Sequence, residues 1–264
     1  MMRCGSRSPL RRNVSVMEWR EDGGVKWLEA ELPGARAAFT TRIGGASQAP
    51  FASLNLGLLT DDDPERVHAN RRALTGALGV DETGVVSGKQ VHGAEVARQE
   101  KRSERSAWLL GADGDPALVD GWATAADGLA PLVFVADCLP VALAGPGGVA
   151  MIHCGWRGLA GGIVERGVNE ISARSAAIGP GIGPCCFEVG PEVTAKFTHL
   201  GDDIADGRML DLPEVCERLL CGAGVEQVER SGLCTYCEAE LFFSHRRDDG
   251  ATGRQAGLAW QCPS

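Results

Sequence analysis

The chain has 264 residues and a mass of 27.7 kDa, which suits one large domain or two small ones. Apolar residues make up 44% and charged residues 23%, and glycine and proline fall in short scattered clusters, so wholesale disorder and collagen-like or low-complexity structure are excluded. A net charge of -9 argues against a basic face for nucleic acid, and no apolar run approaches the roughly 20 residues of a membrane helix, so neither is an expected partner.

Residues 1–16 carry four arginines (Arg3, Arg7, Arg11, Arg12) and no apolar stretch, which excludes a secretory signal. They read as a disordered tail or an over-extended gene start ahead of Met17. Residues 17–264 read as a single domain. Residues 35–42 (ARAAFTTR) suit a strand, and 44–50 a loop. Asp63 followed by Pro64 signals a helix start, with a run to about Leu78 and a stop at Gly79. Its apolar side is Val67, Leu74 and Leu78, with His68 expected on the solvated face. Residues 98–118 are the most polar stretch and read as a loop or hairpin tip.

The centre is different. Residues 132–136, 141–144 and 149–152 are short valine-rich runs bounded by Pro140 and by Gly145-Pro146-Gly147-Gly148, the pattern of buried strands. Helical spacing returns over 160–173, and helices are expected over 191–199 and 212–221. Strands and helices mix without strict βαβ alternation, which argues an α+β fold.

Ten cysteines without a signal peptide point to free thiols in the cytoplasm, with metal binding or catalysis open at some of them. Three segments end apolar runs in reactive groups: Lys89-Gln90-Val91-His92-Gly93, Ala136-Asp137-Cys138-Leu139-Pro140 and His153-Cys154-Gly155-Trp156-Arg157. Two imidazoles and a thiolate (His92, His153, Cys138) suit one zinc ion with an open fourth position, where a bound water would have a pKa of roughly 7. The same residues allow a metal-free reading with Cys138 as nucleophile and a histidine as base. Residues 178–184 (IGPGIGP) read as a tight turn or as bare amides facing a ligand. Cys234-Thr235-Tyr236-Cys237 is a lone CxxC, and Cys185-Cys186 reads as a pair of buried small residues. Arg246 and Arg247 suit phosphate recognition or an ion pair with the following aspartates.

These segments identify a resemblance. Residues 40–47 (TTRIGGAS), 51–57 (FASLNLG), 62–71 (DDPERVHANR), 89–93 (KQVHG), 136–141 (ADCLPV), 153–159 (HCGWRGL), 178–184, 187–190 (FEVG), 234–235 and 242–247 (FFSHRR) resemble, in family order, the YfiH/YlmD-like family. That family is long labelled laccase domain or polyphenol oxidase, and its members include purine nucleoside phosphorylases. The resemblance implies a single α+β domain with mixed sheets layered between helices, in α/β/β/α style. It implies one zinc bound by His92, Cys138 and His153, phosphorolysis of adenosine and inosine, and adenosine deamination as a second activity. Purine nucleosides and phosphate are the implied partners. It places Arg42, Asn55, Lys89, Gln90, Asp137, Arg157 and Arg246 in one cleft, with Asp137 as a candidate proton mover and the others binding substrate.

Asp127-Gly128 departs from the family's usual Pro-Gly, Cys154 from an alanine and His245 from a tyrosine; the last bears on substrate choice. The oxidase label fits poorly. A multicopper centre needs many histidines in His-X-His pairs, whereas this chain has five histidines and no such pair. Copper is therefore a lesser alternative to zinc. A cysteine hydrolase built on Cys138 with His153 or His92, and a non-enzymatic zinc-binding protein, stay open as other readings.

Overall fold

The computed structural model describes residues 17–102, 108 and 117–262. Residues 1–16 and most of the polar stretch 98–118 lie outside that range. Two six-stranded sheets form the centre. The first runs β1 (Glu18–Asp22), β2 (Val25–Leu32), β3 (Ala35–Thr40), β14 (Gln255–Gln261), β7 (Ala130–Val135) and β4 (Val85–Val86). The second runs β13 (Gln227–Arg230), β10 (Ser175–Ile178), β8 (Leu139–Gly145), β9 (Gly148–Cys154), β6 (Gly121–Thr124) and β5 (Val96–Arg98). A small hairpin joins β11 (Ala205–Asp206) to β12 (Met209–Leu210). Pairing is mostly antiparallel, with parallel neighbours at β4·β7, β5·β6 and β10·β13.

Strand alternation sets the layers, because successive side chains point to opposite faces. On β9, Val149 and Met151 enter the space between the sheets with Val133 and Val135 of β7 and Ala142 and Ala144 of β8. The other set, Ala150, Ile152 and Cys154, faces α3 (Ile163–Ile171) and α5 (Leu212–Gly222). Leu132 and Leu258 of the first sheet face Leu74 of α1 (Pro64–Leu78). The order is helix, sheet, sheet, helices, which is the expected α+β layering. Ile152 is fully buried, so Ile152→Ala should cost about 2–5 kcal/mol of stability, read as a lower denaturant midpoint at unchanged slope.

Local signals act as their chemistry requires. Asp63 caps α1 by accepting from the Glu65 amide, Pro64 occupies its first turn, and Gly79 ends it at φ 65°. The buried side of α1 also takes Asn70 and Arg71. Asn70 donates to Ser47 Oγ and to the Ser53 and Asn55 carbonyls, while Arg71 donates to the Leu56 carbonyl and lies over the Trp108 ring. The polar motif on this helix thus ties down the loop before it. His68 is half-buried rather than solvated.

The range 160–173 forms one helix, α3, and a separate short helix precedes it. α2 (Trp156–Ala160) ends at Gly161, Gly162 takes φ 86°, and α3 starts at Ile163. The helix expected over 191–199 shrinks to α4 (Pro191–Thr194) followed by a 3-10 turn at Thr198–Leu200, while α5 matches its expected range closely. Strands β1 and β2 carry no signal the sequence reading used.

Candidate metal centre

The antiparallel register of β8 and β9 sets Pro140 opposite His153 and Leu139 opposite Cys154. Cys138, just before β8, therefore lies beside the end of β9, where His153 points between the sheets. Asp120, just before β6, accepts the His153 backbone amide at 2.7 Å and hydrogen-bonds His153 Nδ1 at 2.8 Å. Its carboxylate also accepts the amides of Val91, His92 and Gly93 at 3.1, 2.9 and 2.7 Å. One buried carboxylate thus orients the His153 ring and folds the His92 turn onto it. His92 sits at φ 58°, a left-handed conformation that these amide bonds hold in place. The His92 and His153 rings meet edge-to-face at 4.9 Å.

The ligand atoms of His92, Cys138 and His153 all lie within 4.8 Å of one another. This donor set fits a borderline-soft cation, and three ligands leave a coordination position open to the cleft. Asp120 at Nδ1 leaves Nε2 of His153 as the ligating atom, the second-layer arrangement that metal histidines favour. Burial pushes the Cys138 thiol up, but the charge of His153 and hydrogen bonds from both histidines outweigh it and bring the thiol down to about 6. Burial pushes His153 down, while Cys138 and Asp120 raise it to about 9. Burial also acts to raise the Asp120 carboxyl, but hydrogen bonds from His153, Gly93 and Val91 leave it below its ordinary value.

Gly155 is required by close approach. A Cβ there would lie 2.9 Å from Cys138 Sγ and 3.4 Å from His92. Gly155→Ala should displace the thiolate and weaken metal retention by about tenfold or more at unchanged fold, measured by metal content after graded chelator dialysis.

The ligands open onto a cleft of about 450 Å³, a size suited to a small-molecule ligand. Lys89, Gln90, Asp137, Arg157 and Arg246 line it. Arg157 lies over the Trp156 ring at 4.2 Å, and Arg246 donates to the Glu188 carbonyl and lies over Phe187 at 5.4 Å. The ion pair with Asp248 belongs to Arg247, at 2.9 Å. Gln90 exchanges two hydrogen bonds with the Phe134 backbone, so it holds β7 in place. Asp137, at φ 89°, accepts Thr235 Oγ1 and the Arg246 amide, each at 2.7 Å. Both its oxygens are engaged, so its first task is to hold these loops against the metal turn.

Two expected cleft residues lie elsewhere. Arg42 donates to the carbonyls of Ala52 and Ala239 and packs over Phe243. Asn55 is fully buried and bonds Thr60, Asp62 and the amides of Gly57 and Arg254. Both organise the loops behind the cleft wall. Arg254, His245, Phe134 and Phe187 line the cleft as well. Sequence reasoning left Asp120 and Arg254 without a role.

The family model described as multi-copper polyphenol oxidoreductase laccase matches residues 36–262. The chain is 37% identical over 252 residues to a purine nucleoside phosphorylase of Pseudomonas aeruginosa, covering 89% of this chain and 98% of that one. It is 36% identical over 240 residues to purine nucleoside phosphorylase YfiH of Escherichia coli, covering 86% and 94%. The crystal structure of YlmD from Geobacillus stearothermophilus superposes with a TM-score of 0.82 at 34% identity, over 94% of this chain and all of that one. That of Bacillus licheniformis YfiH gives 0.80 at 32% identity, over 92% and 99%.

Proposed function

The chain belongs to the laccase-domain family of YfiH and YlmD, and from that premise we propose that it is a zinc-dependent purine nucleoside phosphorylase that also deaminates adenosine. The observation that carries the reading is the convergence of His92, Cys138 and His153 at a cleft lined by Lys89, Arg157 and Arg246. Zinc held by these three ligands would supply a Lewis acid beside the reacting nucleoside. Two nitrogens and one sulfur suit one zinc better than a copper cluster.

The guanidinium groups of Arg157 and Arg246 and the Lys89 ammonium bind phosphate, the first two as planar forks. A phosphate oxygen forms the new bond to the anomeric carbon as the glycosidic C–N bond breaks. The bonding pair leaves with the purine, which takes up a proton given by the phosphate monoanion or by water, giving free base and ribose 1-phosphate. Phe134 and Phe187 offer apolar surface for the base, and His245 stands where it can alter the choice of base. In deamination water replaces the amino group at carbon 6 and ammonia leaves. Asp137 keeps Arg246 and the Cys138 turn in register, and proton transfer through it requires one of its two hydrogen bonds to open.

Chromatography of protein incubated with adenosine or inosine, with and without phosphate, tests the reading. Adenine or hypoxanthine should form only with phosphate, and inosine should form from adenosine without it. No turnover of either nucleoside by metal-loaded protein would overturn it. Arg157→Ala should raise the phosphate KM by about ten- to a hundredfold, the scale of a charge-assisted hydrogen bond.

One feature favours a second reading. Cys138, His153 and Asp120 stand in a thiol–imidazole–carboxylate order of the kind a cysteine hydrolase uses. Activity that survives chelation and is lost on alkylation of Cys138 would select the hydrolase. Activity lost on chelation and restored by zinc selects the phosphorylase.

A further inference from the structure

A second group of thiols lies outside the cleft chemistry. In sequence, Cys234 and Cys237 are a lone CxxC and Cys185-Cys186 read as buried small residues. The fold overturns both readings. Cys185 and Cys237 are exposed, Cys186 and Cys234 are half-buried, and all four sulfurs lie within 4.8 Å of one another. Two loops bring them together. The turn after Gly183-Pro184 carries the first pair, and the turn after β13 carries the second. A parallel bridge between Gly181 and Cys234, with the Thr235 amide donating to the Gly181 carbonyl at 3.0 Å, locks the two loops side by side.

We propose that Cys185, Cys186, Cys234 and Cys237 are the ligands of a second, structural zinc ion. A zinc–thiolate bond of about 2.3 Å sets the edges of a tetrahedral site near 3.8 Å. Cys237 Sγ lies 3.6 Å from Cys185 Sγ and 3.4 Å from Cys186 Sγ, close to such edges and far too long for a disulfide. Four sulfurs this near one another enclose one ion, whereas an iron–sulfur cluster needs wider spacing. Four protein ligands close the coordination sphere, as structural zinc sites do.

The loop geometry is already that of a thiolate site. The Gly183 amide donates to Cys234 Sγ at 3.3 Å, and the Tyr236 and Cys237 amides also point at that sulfur. Backbone donors converging on one sulfur stabilise the anion a metal needs.

The site clamps the cleft wall. Phe187 and Ile182 flank the first cysteine pair and line the cleft, and Thr235 inside the CxxC holds Asp137 beside Cys138. A metal here would fix that wall without touching the substrate.

Metal analysis of the full chain, purified under reducing conditions without chelator, tests the proposal. Parent protein should carry two zinc ions, Cys138→Ala one, Cys237→Ser one, and the double variant none. Cobalt added to metal-free Cys138→Ala protein should give the intense sulfur-to-metal charge-transfer bands of a four-thiolate site, and these should vanish in the double variant. Folding of each variant is followed by circular dichroism. If Cys237→Ser unfolds, the cobalt spectrum of Cys138→Ala alone decides. The proposal fails if Cys138→Ala protein binds no zinc and gives no thiolate bands. It also fails if the four cysteines react as free thiols in zinc-saturated protein, or if the chain is lighter by the mass of two disulfides.

Discussion

Cys138→Ala is expected to abolish phosphate-dependent release of adenine and hypoxanthine, with a fall of about a thousandfold or more. Losing a second-layer partner already costs about 10–100-fold in metal affinity, and Cys138 is a ligand itself. The thiolate also supplies the negative charge that holds His153 above its ordinary value. Without it the cleft keeps Lys89, Arg157 and Arg246 but loses the electrophile beside the base. Product chromatography reads the activity, and zinc analysis of the same sample ties the loss to the metal. The fold should survive, because Cys138 lies at the entrance to β8 and removal of one sulfur leaves the flanking Val141 and Leu143 core in place. An active Cys138→Ala protein would mean that the thiolate takes no part in turnover.

Asp120→Ala should be the costlier substitution for the fold and comparably damaging to the site. The carboxylate is fully buried and accepts three backbone amides and the His153 ring. Removing it strands those donors, at about 1–3 kcal/mol for each buried group left unsatisfied. A net loss of about 3–5 kcal/mol is expected, which should appear as a large fall in melting temperature. Asp120→Asn separates the two roles. The amide oxygen can still accept from Val91 and Gly93, but the NH2 then stands where one oxygen served both the His92 amide and the His153 ring, and it favours the tautomer whose far nitrogen is protonated and cannot bind metal. The Asp120→Asn protein should therefore stay folded and retain zinc about 10–100-fold less tightly, measured by competition with a chromogenic chelator. Zinc affinity equal to that of the parent would remove Asp120 from the metal site.

Much of this was written in short-range patterns. Asp63-Pro64 and Gly79 delimit α1 through capping and backbone chemistry that acts within one helical turn. Short continuous apolar runs between Pro140 and Cys154, bounded by turn residues, specify strands buried on both faces, because neither side of such a strand carries polar groups for solvent. The three ligand segments were legible too, as reactive residues at the ends of apolar runs, and the family resemblance named them together. The break at Gly161-Gly162 was harder to see, since apolar spacing continues across it and only the left-handed Gly162 divides the helices.

What the chain determined by itself is the set of local elements and the residue types at their ends, because propensity, capping and alternation act between near neighbours. Tertiary structure decided which of those ends meet. Asp120 stands 33 residues from His153 in sequence yet bonds its ring, and Cys186 meets Cys237 across 51 residues through a single parallel bridge between their loops. Asn55 and Arg42, polar residues in matching motifs, turn away from the cleft to satisfy buried loop backbone, whereas Arg254 turns in. Such choices follow from sheet register and from the requirement that buried polar groups find partners. Both are properties of distant segments packed together, and no window of the sequence contains them.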